Sequence, residues 1–176
     1  RESIEAPAGY EMVVGDFSQI EPRMLAYVAG QWDMVEQFRR GEDTYSNFGN
    51  ESGLFDVVVS KATADERFLC KGVILGGGCG AGPASMEQQI RNLAYSLGLS
   101  VNLEQDYAAA NAAYRRLYSN IPALWKENGT ALANLIARQG SQFGTDGLIK
   151  FEINRIGRRF VLRNGRGIHF HNLRWE

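Results

Sequence analysis

Residues 15–23, Gly-Asp-Phe-Ser-Gln-Ile-Glu-Pro-Arg, constrain the fold more than any other stretch, because they set a carboxylate between two kinds of local structure. Upstream, Met12, Val13 and Val14 form a short β-favouring run bounded by Gly9 and Gly15, which predicts a strand ending at Asp16. Downstream, Ser18 and Glu21 have the S-x-x-E spacing of a capping box, and Ile20, Met24, Leu25, Tyr27 and Val28 recur at helical intervals. Asp16 is therefore expected at a strand-to-helix corner.

A second stretch, residues 63–82, repeats the capping-box spacing with Thr63 and Glu66 and predicts a helix over 63–78. At about 100° per residue, Arg67, Lys71 and Leu75 fall on one stripe, and Leu69, Cys70, Val73 and Ile74 lie on the other side. An Arg and a Lys one turn apart near a helix N-terminus suit a polyphosphate, since the Arg binds oxygens in pairs and the Lys adds a point charge. The glycine cluster that follows, Gly-Gly-Gly-Cys-Gly-Ala-Gly, is not a phosphate-binding loop: it closes a helix instead of opening one, and no Gly-Lys-Ser/Thr follows. Its expected role is to end the helix and admit another segment at close range.

The remaining chain reads mainly as helix. Trp32, Val35 and Phe38 form a helical pattern interrupted at Gly41, inside a connecting segment expected to carry short helices. Phe55 and Val57 to Val59 fit a strand or a helical turn equally. Met86, Ile90, Leu93, Ala94 and Leu97 predict a helix stopped at Gly98; Tyr107–Tyr118 predicts another, interrupted at Pro122; Leu124–Ile136 predicts a third. Near the C-terminus, Asn164-Gly165 between 159–163 and 167–171 predicts a two-residue hairpin turn, with His169 and His171 as ordinary strand positions.

Bulk properties narrow the setting. A chain of 176 residues is one domain or part of one. No run approaches the ~18 apolar residues of a membrane span and no signal-peptide pattern is present, so the expectation is a soluble, cytoplasmic protein without membrane contact. Cys70 and Cys79 have no partners at zinc-ligand spacing and suggest neither a disulfide framework nor a metal knot. Residues 1–60 carry four Lys/Arg against eleven Asp/Glu, whereas 147–176 carry seven against two. This asymmetry fits an acidic front that holds cations and a basic tail that faces phosphates, and it fits ordinary solvated faces equally.

In this order the two motifs resemble motifs A and B of the family A DNA polymerases: GDFSQIEPR the first, and RFLCKGVILGGGCG, with its R-x-x-x-K spacing, the second. RESIEAPAGY, YRRLYSNIP and a tail, NGRGIHFHNLRWE, similar to that of phage-type members extend the resemblance over nearly the whole chain. It implies an α+β fold: a partial palm with antiparallel strands around Asp16, a mainly helical fingers section and a C-terminal β-hairpin. Residues 1–30 would be the palm segment, 31–136 the fingers, and 137–176 the return toward the palm, ending before motif C. The implied activity is template-directed DNA synthesis, the transfer of dNTPs to a primer 3′ end by a mechanism using two Mg²⁺ ions.

Residue by residue, the resemblance makes Asp16 catalytic and metal-binding, with the Phe17 carbonyl as a further ligand. Glu21 becomes the gate that crowds a ribose 2′-OH. Arg67 and Lys71 hold the triphosphate, Leu75 packs near sugar and base, and Cys79 and Gly80 lie beside the templating base. Partners would be primer–template DNA, dNTPs and the remainder of the polymerase chain. The sequence departs from the family pattern at Pro22, where an apolar residue is usual, at Cys79, where Tyr is common, and at Leu75, where Phe or Tyr is usual. The His-Asp-Glu motif that carries the family's second catalytic carboxylate does not occur before Glu176, so a fragment inactive by itself is expected. Competing expectations are a non-catalytic nucleic-acid-binding module or polymerase remnant, a single-subunit RNA polymerase, against which Glu21 argues, and a helical protein with chance motifs.

Overall fold

Apolar residues at helical spacing build the molecule from residue 20 to residue 136, and an aromatic-faced sheet completes it. The structure, a computed structural model, describes residues 5–171 and residue 173. Its helices are α1 (Ile20–Ala29), α2 (Trp32–Arg39), α3 (Thr44–Ser52), α4 (Ala64–Gly78), α5 (Pro83–Ser96), α6 (Tyr107–Leu117) and α7 (Asn120–Ile136). Strands β1 (Ser141–Phe143), β2 (Ile149–Ile153), β3 (Arg158–Val161) and β4 (Gly167–Phe170) form one antiparallel sheet in the order β1-β2-β3-β4. This is the α+β fold expected, with a C-terminal hairpin, β3–β4, in the expected place.

Several helix boundaries have a local cause. Pro83 opens α5 at its first turn, where a missing N–H is harmless. Asp106 caps α6 by accepting from the backbone N–H groups of Ala108 and Ala109, both at 2.9 Å. Gly30 ends α1 in the left-handed conformation, at φ 68°. The Phe55–Val59 stretch is neither strand nor helix; it crosses the surface of α3 with Val59 buried and Val58 exposed.

Two cores meet along α1. In the helical core, Phe48, Tyr114 and Tyr118 pack ring on ring, with centroids 5.3–6.4 Å apart, each pair adding about 0.5–1.5 kcal/mol beyond its burial. Met34, Ile74, Met86, Ile90 and Ile121 surround them. The second core joins α7 to the sheet through Leu124, Ala131, Leu135, Phe143 and Phe151, and the Phe151 ring touches Phe143, Phe160 and Phe170 at 5.5–6.0 Å. Leu25 and Ala29 of α1 pack against both. The Thr145 hydroxyl fastens α1 further by donating to the Tyr27 carbonyl at 2.8 Å, with the Val28 carbonyl at 3.1 Å.

Several local expectations fail for identifiable reasons. Met12, Val13 and Val14 are not a strand: they are 48%, 94% and 69% exposed, and no strand pairs with them among the described residues. A strand exists only through its ladder, so β-favouring residues without a partner stay extended and irregular. The antiparallel sheet expected around Asp16 is instead built entirely from 141–170. Neither capping box forms. Gln19, at φ 54°, takes the cap position of α1 and displaces Ser18, whose carbonyl accepts from Arg23 Nε at 2.8 Å. Thr63 does occupy the cap of α4, but its hydroxyl is turned back onto Ser60, accepting from the N–H at 2.8 Å and donating to the carbonyl at 3.1 Å.

Pro122 does not interrupt a helix: α7 begins two residues earlier, and Pro122 sits in the first turn, as Pro22 does in α1, where no intrahelical acceptor awaits its nitrogen. The tail hairpin is not the two-residue kind. Leu162 N–H donates to the Arg166 carbonyl and Gly165 N–H to the Leu162 carbonyl, both at 2.8 Å, and only Gly165 is left-handed, at φ 80°. A two-residue type I′ turn needs both central residues there; this is a longer loop closed by a left-handed Gly. His169 lies in β4 as expected, while His171 falls just beyond it.

Candidate functional site

Helix α4 is the element that positions the second motif. Leu69, Cys70, Val73 and Ile74 are buried as their spacing requires, which leaves Arg67, Lys71 and Leu75 partly exposed on the opposite stripe. The glycines let three helices close onto the buried side. A Cβ at Gly77 would stand 2.8 Å from the Tyr114 ring of α6, one at Gly72 would collide with Ile90 of α5, and one at Gly49 of α3 would stand 2.9 Å from Cys70 Sγ. Thus α4 is fixed by backbone-close packing, and the glycines act within the helix as well as after it. The helix ends at Cys79, which is exposed, and the chain turns away through Gly80 at φ 77°.

Arg67 is held in place by a neighbour that the motif does not contain. Its Nε donates to Asp43 Oδ2 at 2.6 Å and its Nη2 to Oδ1 at 3.1 Å, a bidentate pair. Asp43 Oδ2 also accepts from the Ser46 hydroxyl at 2.7 Å. The guanidinium carbon lies 5.3 Å from the centre of the Tyr45 ring. Burial by itself would raise the Asp43 carboxyl, but the hydrogen bonds from Arg67 and Ser46 outweigh it and hold the group below the ordinary carboxylate range. The same hydrogen bond raises Arg67 against the opposing effect of burial. Both side chains are less than one-third exposed, at 29% and 19%, so the pair is worth roughly 1 kcal/mol, at the top of the range for solvent-accessible pairs. Lys71 forms no ion pair among the described residues.

The first motif reaches α4 through α1. Glu21, in the first turn of α1, shares a cleft of about 250 Å³ with Pro22, Leu25, Ile74, Leu75, Gly78 and Cys79. The close approach is set by Gly78, where an added Cβ would lie 3.0 Å from Leu25 Cδ2. Tyr45 links this cleft to the Arg67 cluster: burial pushes its hydroxyl up, and the charges of Arg67, Asp43 and Glu21 all act on it. Glu21, Leu75 and Cys79 are therefore brought together directly, with Arg67 held nearby through α3. Asp16 and Phe17 are not part of this assembly. Both are exposed on the irregular segment before α1, Phe17 at 78%. No group of three His, Cys, Asp or Glu side chains that could hold a metal ion occurs among the described residues.

Larger hollows lie elsewhere. One of about 580 Å³ separates α7 from β1, and one of about 410 Å³ is lined by Tyr27, Lys150 and Arg163. Neither touches the motif residues, so size does not mark the site. Asp43 and Tyr45 were invisible to the sequence reading. They lie 24 and 22 residues before Arg67, and their only local signal is that Asp precedes a helix, which is the ordinary place for a cap.

Comparison with known proteins adds ancestry to this geometry. The family described as DNA polymerase family A matches residues 1–135. A DNA polymerase I of Mycobacterium tuberculosis is 29% identical over 92 residues, 52% of this chain and 10% of that protein. The DNA polymerase I of Chloroflexus aurantiacus is 32% identical over 76 residues, 43% of this chain and 8% of that protein. A thermostable DNA polymerase I from Thermus filiformis is 27% identical over 127 residues, 69% of this chain and 13% of that protein. The chain thus spans about a tenth of the length of the curated relatives it matches.

Proposed function

The chain belongs to DNA polymerase family A, and from that premise we propose that it forms the part of a DNA-directed DNA polymerase that receives the incoming deoxynucleoside triphosphate, in the cytoplasm of a bacterial or phage-infected cell. Residues 31–136 act as the fingers and 1–30 as a palm segment in this reading. The observation that carries it is the stripe Arg67, Lys71 and Leu75 on α4, which runs from a fixed guanidinium to a cleft shared with Glu21. Phosphoryl transfer asks for positioning and charge neutralisation more than for covalent chemistry, and those are what the stripe offers.

Each residue has a role in this reading. Arg67 and Lys71 neutralise phosphate oxygens one helical turn apart. Leu75 packs against the sugar and base by apolar contact, and Glu21 across the cleft crowds a 2′-OH, which favours deoxynucleotides. Cys79 and Gly80 continue the surface beside the templating base. Asp16 and the Phe17 carbonyl are hard oxygen donors of the type Mg²⁺ takes, but two donors do not make a complete site, and no cluster of three His, Cys, Asp or Glu side chains stands among the described residues. Two Mg²⁺ ions, when bound in the assembled polymerase, would supply charge neutralisation at the reacting oxygens. What this chain contributes by itself is nucleotide and primer–template binding.

The test is equilibrium binding of a fluorescent dNTP to the purified chain and to its Arg67→Ala and Lys71→Ala variants. A charge-assisted contact is worth about 1.5–3 kcal/mol, so each variant is expected to weaken binding roughly ten- to a hundredfold. Unchanged dNTP affinity in both, alongside salt-dependent DNA binding that ignores dNTP, would contradict the proposal and favour a non-catalytic nucleic-acid-binding module.

A further inference from the structure

An arginine side chain carries much rotamer freedom, and at Arg67 neighbouring groups restrict it. Asp43 takes its Nε–H and one Nη2–H in a bidentate grip at 2.6 and 3.1 Å, and the Tyr45 ring stands 5.3 Å beneath the guanidinium carbon. Asp43 is itself immobilised, since its Oδ2 accepts from Ser46 Oγ at 2.7 Å and it sits at the cap of α3, whose Thr44, Tyr45 and Ser46 are all buried. The grip leaves the Nη1 donors and the second Nη2 donor unclaimed by Asp43.

We propose that Asp43 is a positioning residue for nucleotide binding: it fixes the Arg67 guanidinium so that its remaining N–H edge meets the triphosphate already ordered. This rests on the reading of Arg67 as a triphosphate ligand given above. The physical gain is preorganisation. A free arginine loses side-chain entropy when it binds, and one already held loses less for each hydrogen bond it makes. The opposing effect is electrostatic, because a carboxylate beside Arg67 cancels part of its charge toward the phosphates. The two effects have opposite signs in one experiment. If ordering dominates, removing the carboxylate weakens binding; if cancellation dominates, removing it strengthens binding.

Asp43→Asn keeps the size of residue 43 and an oxygen that can accept from Ser46 Oγ, and removes the charge. Binding of a fluorescent dNTP and of inorganic tripolyphosphate is measured for the wild-type chain, Asp43→Asn, Arg67→Ala and the double variant, well below each melting temperature. Asp43→Asn is expected to weaken both ligands by about five- to tenfold and to have no further effect in the Arg67→Ala background, since it acts only through that side chain. The Arg67 Nε–H resonance, assigned by its loss in Arg67→Ala, is expected to move in Asp43→Asn. Asp43→Glu, which keeps the charge, is expected to recover part of the affinity. Equal or tighter binding by Asp43→Asn while Arg67→Ala weakens it would overturn the positioning role alone. An unchanged affinity in Arg67→Ala would instead overturn the reading of Arg67 as a phosphate ligand, and this proposal with it.

Discussion

The two cysteines of this chain occupy opposite environments nine residues apart. Cys70 is fully buried in the helical core, and burial pushes its thiol up to about 12, whereas Cys79 is exposed at the end of α4. Alkylation needs the thiolate, so iodoacetamide at neutral pH is expected to modify Cys79 only, with Cys70 reacting after denaturation; mass spectrometry of the peptides reads the result. The same shift couples to stability. A folded-state value above the unfolded one means that the unfolded chain loses its proton first as pH rises, so this contribution is complete below pH ~9 and is lost between ~9 and ~12. Buried Tyr114 and Tyr118, also raised by burial, act in the same direction. The melting temperature is therefore expected to fall steadily above pH 9. At this scale the sequence revealed burial better than partnership. The helical stripe that buries Cys70 is periodic and readable, but the grip of Asp43 on Arg67 joins residues 24 apart by side-chain geometry, which no local pattern encodes.

Among the elements, α4 shows what its glycines are for. Gly77 faces the Tyr114 ring, whose nearest atoms would lie 2.8–2.9 Å from an added Cβ, and Tyr114 is 1% exposed and locked against Phe48 and Tyr118. Gly129 in α7 has nothing within 4 Å of the same position. Alanine favours a helix over glycine by about 1 kcal/mol, and overpacking a rigid core costs about 1–3 kcal/mol. Thermal denaturation is therefore expected to show Gly129→Ala stabilised and Gly77→Ala destabilised. Stabilisation of both would mean that the α4–α6 contact is looser than described. Helices were legible because a 3.6-residue repeat is a property of the segment itself, and α4, α5 and α6 lie where their repeats predict. The strand at 12–14 was misread because a strand is a property of two segments. Both capping boxes were misread because Ser18 and Thr63 had competing geometry, a left-handed Gln19 in one case and Ser60 in the other.

For the whole molecule, the charge asymmetry is partly spent internally. In the acidic front, Asp43 pairs with Arg67 and Glu36 with Arg39. In the basic tail, Arg159 and Lys150 pair with Glu152, and Arg158 donates to the carbonyls of Leu173 and Ile136. Of the ion pairs among the described residues, Asp43–Arg67 alone joins a charge of the acidic front to one outside it; the pairs within each segment are already balanced in its net charge. The motifs are the more reliable guide, since they resemble family A by sequence alone and the family match covers both of them. The sheet over 141–170 lies beyond that match, and of it the sequence reading anticipated only the last two strands. The central claim is that the triphosphate is received on α4. Its most direct test is chemical-shift mapping of the isotopically labelled chain as dATP is added. The shifts are expected to cluster at Glu21, at Asp43 and Tyr45, and along Arg67 to Gly80; shifts confined to the basic sheet with α4 unmoved would contradict it.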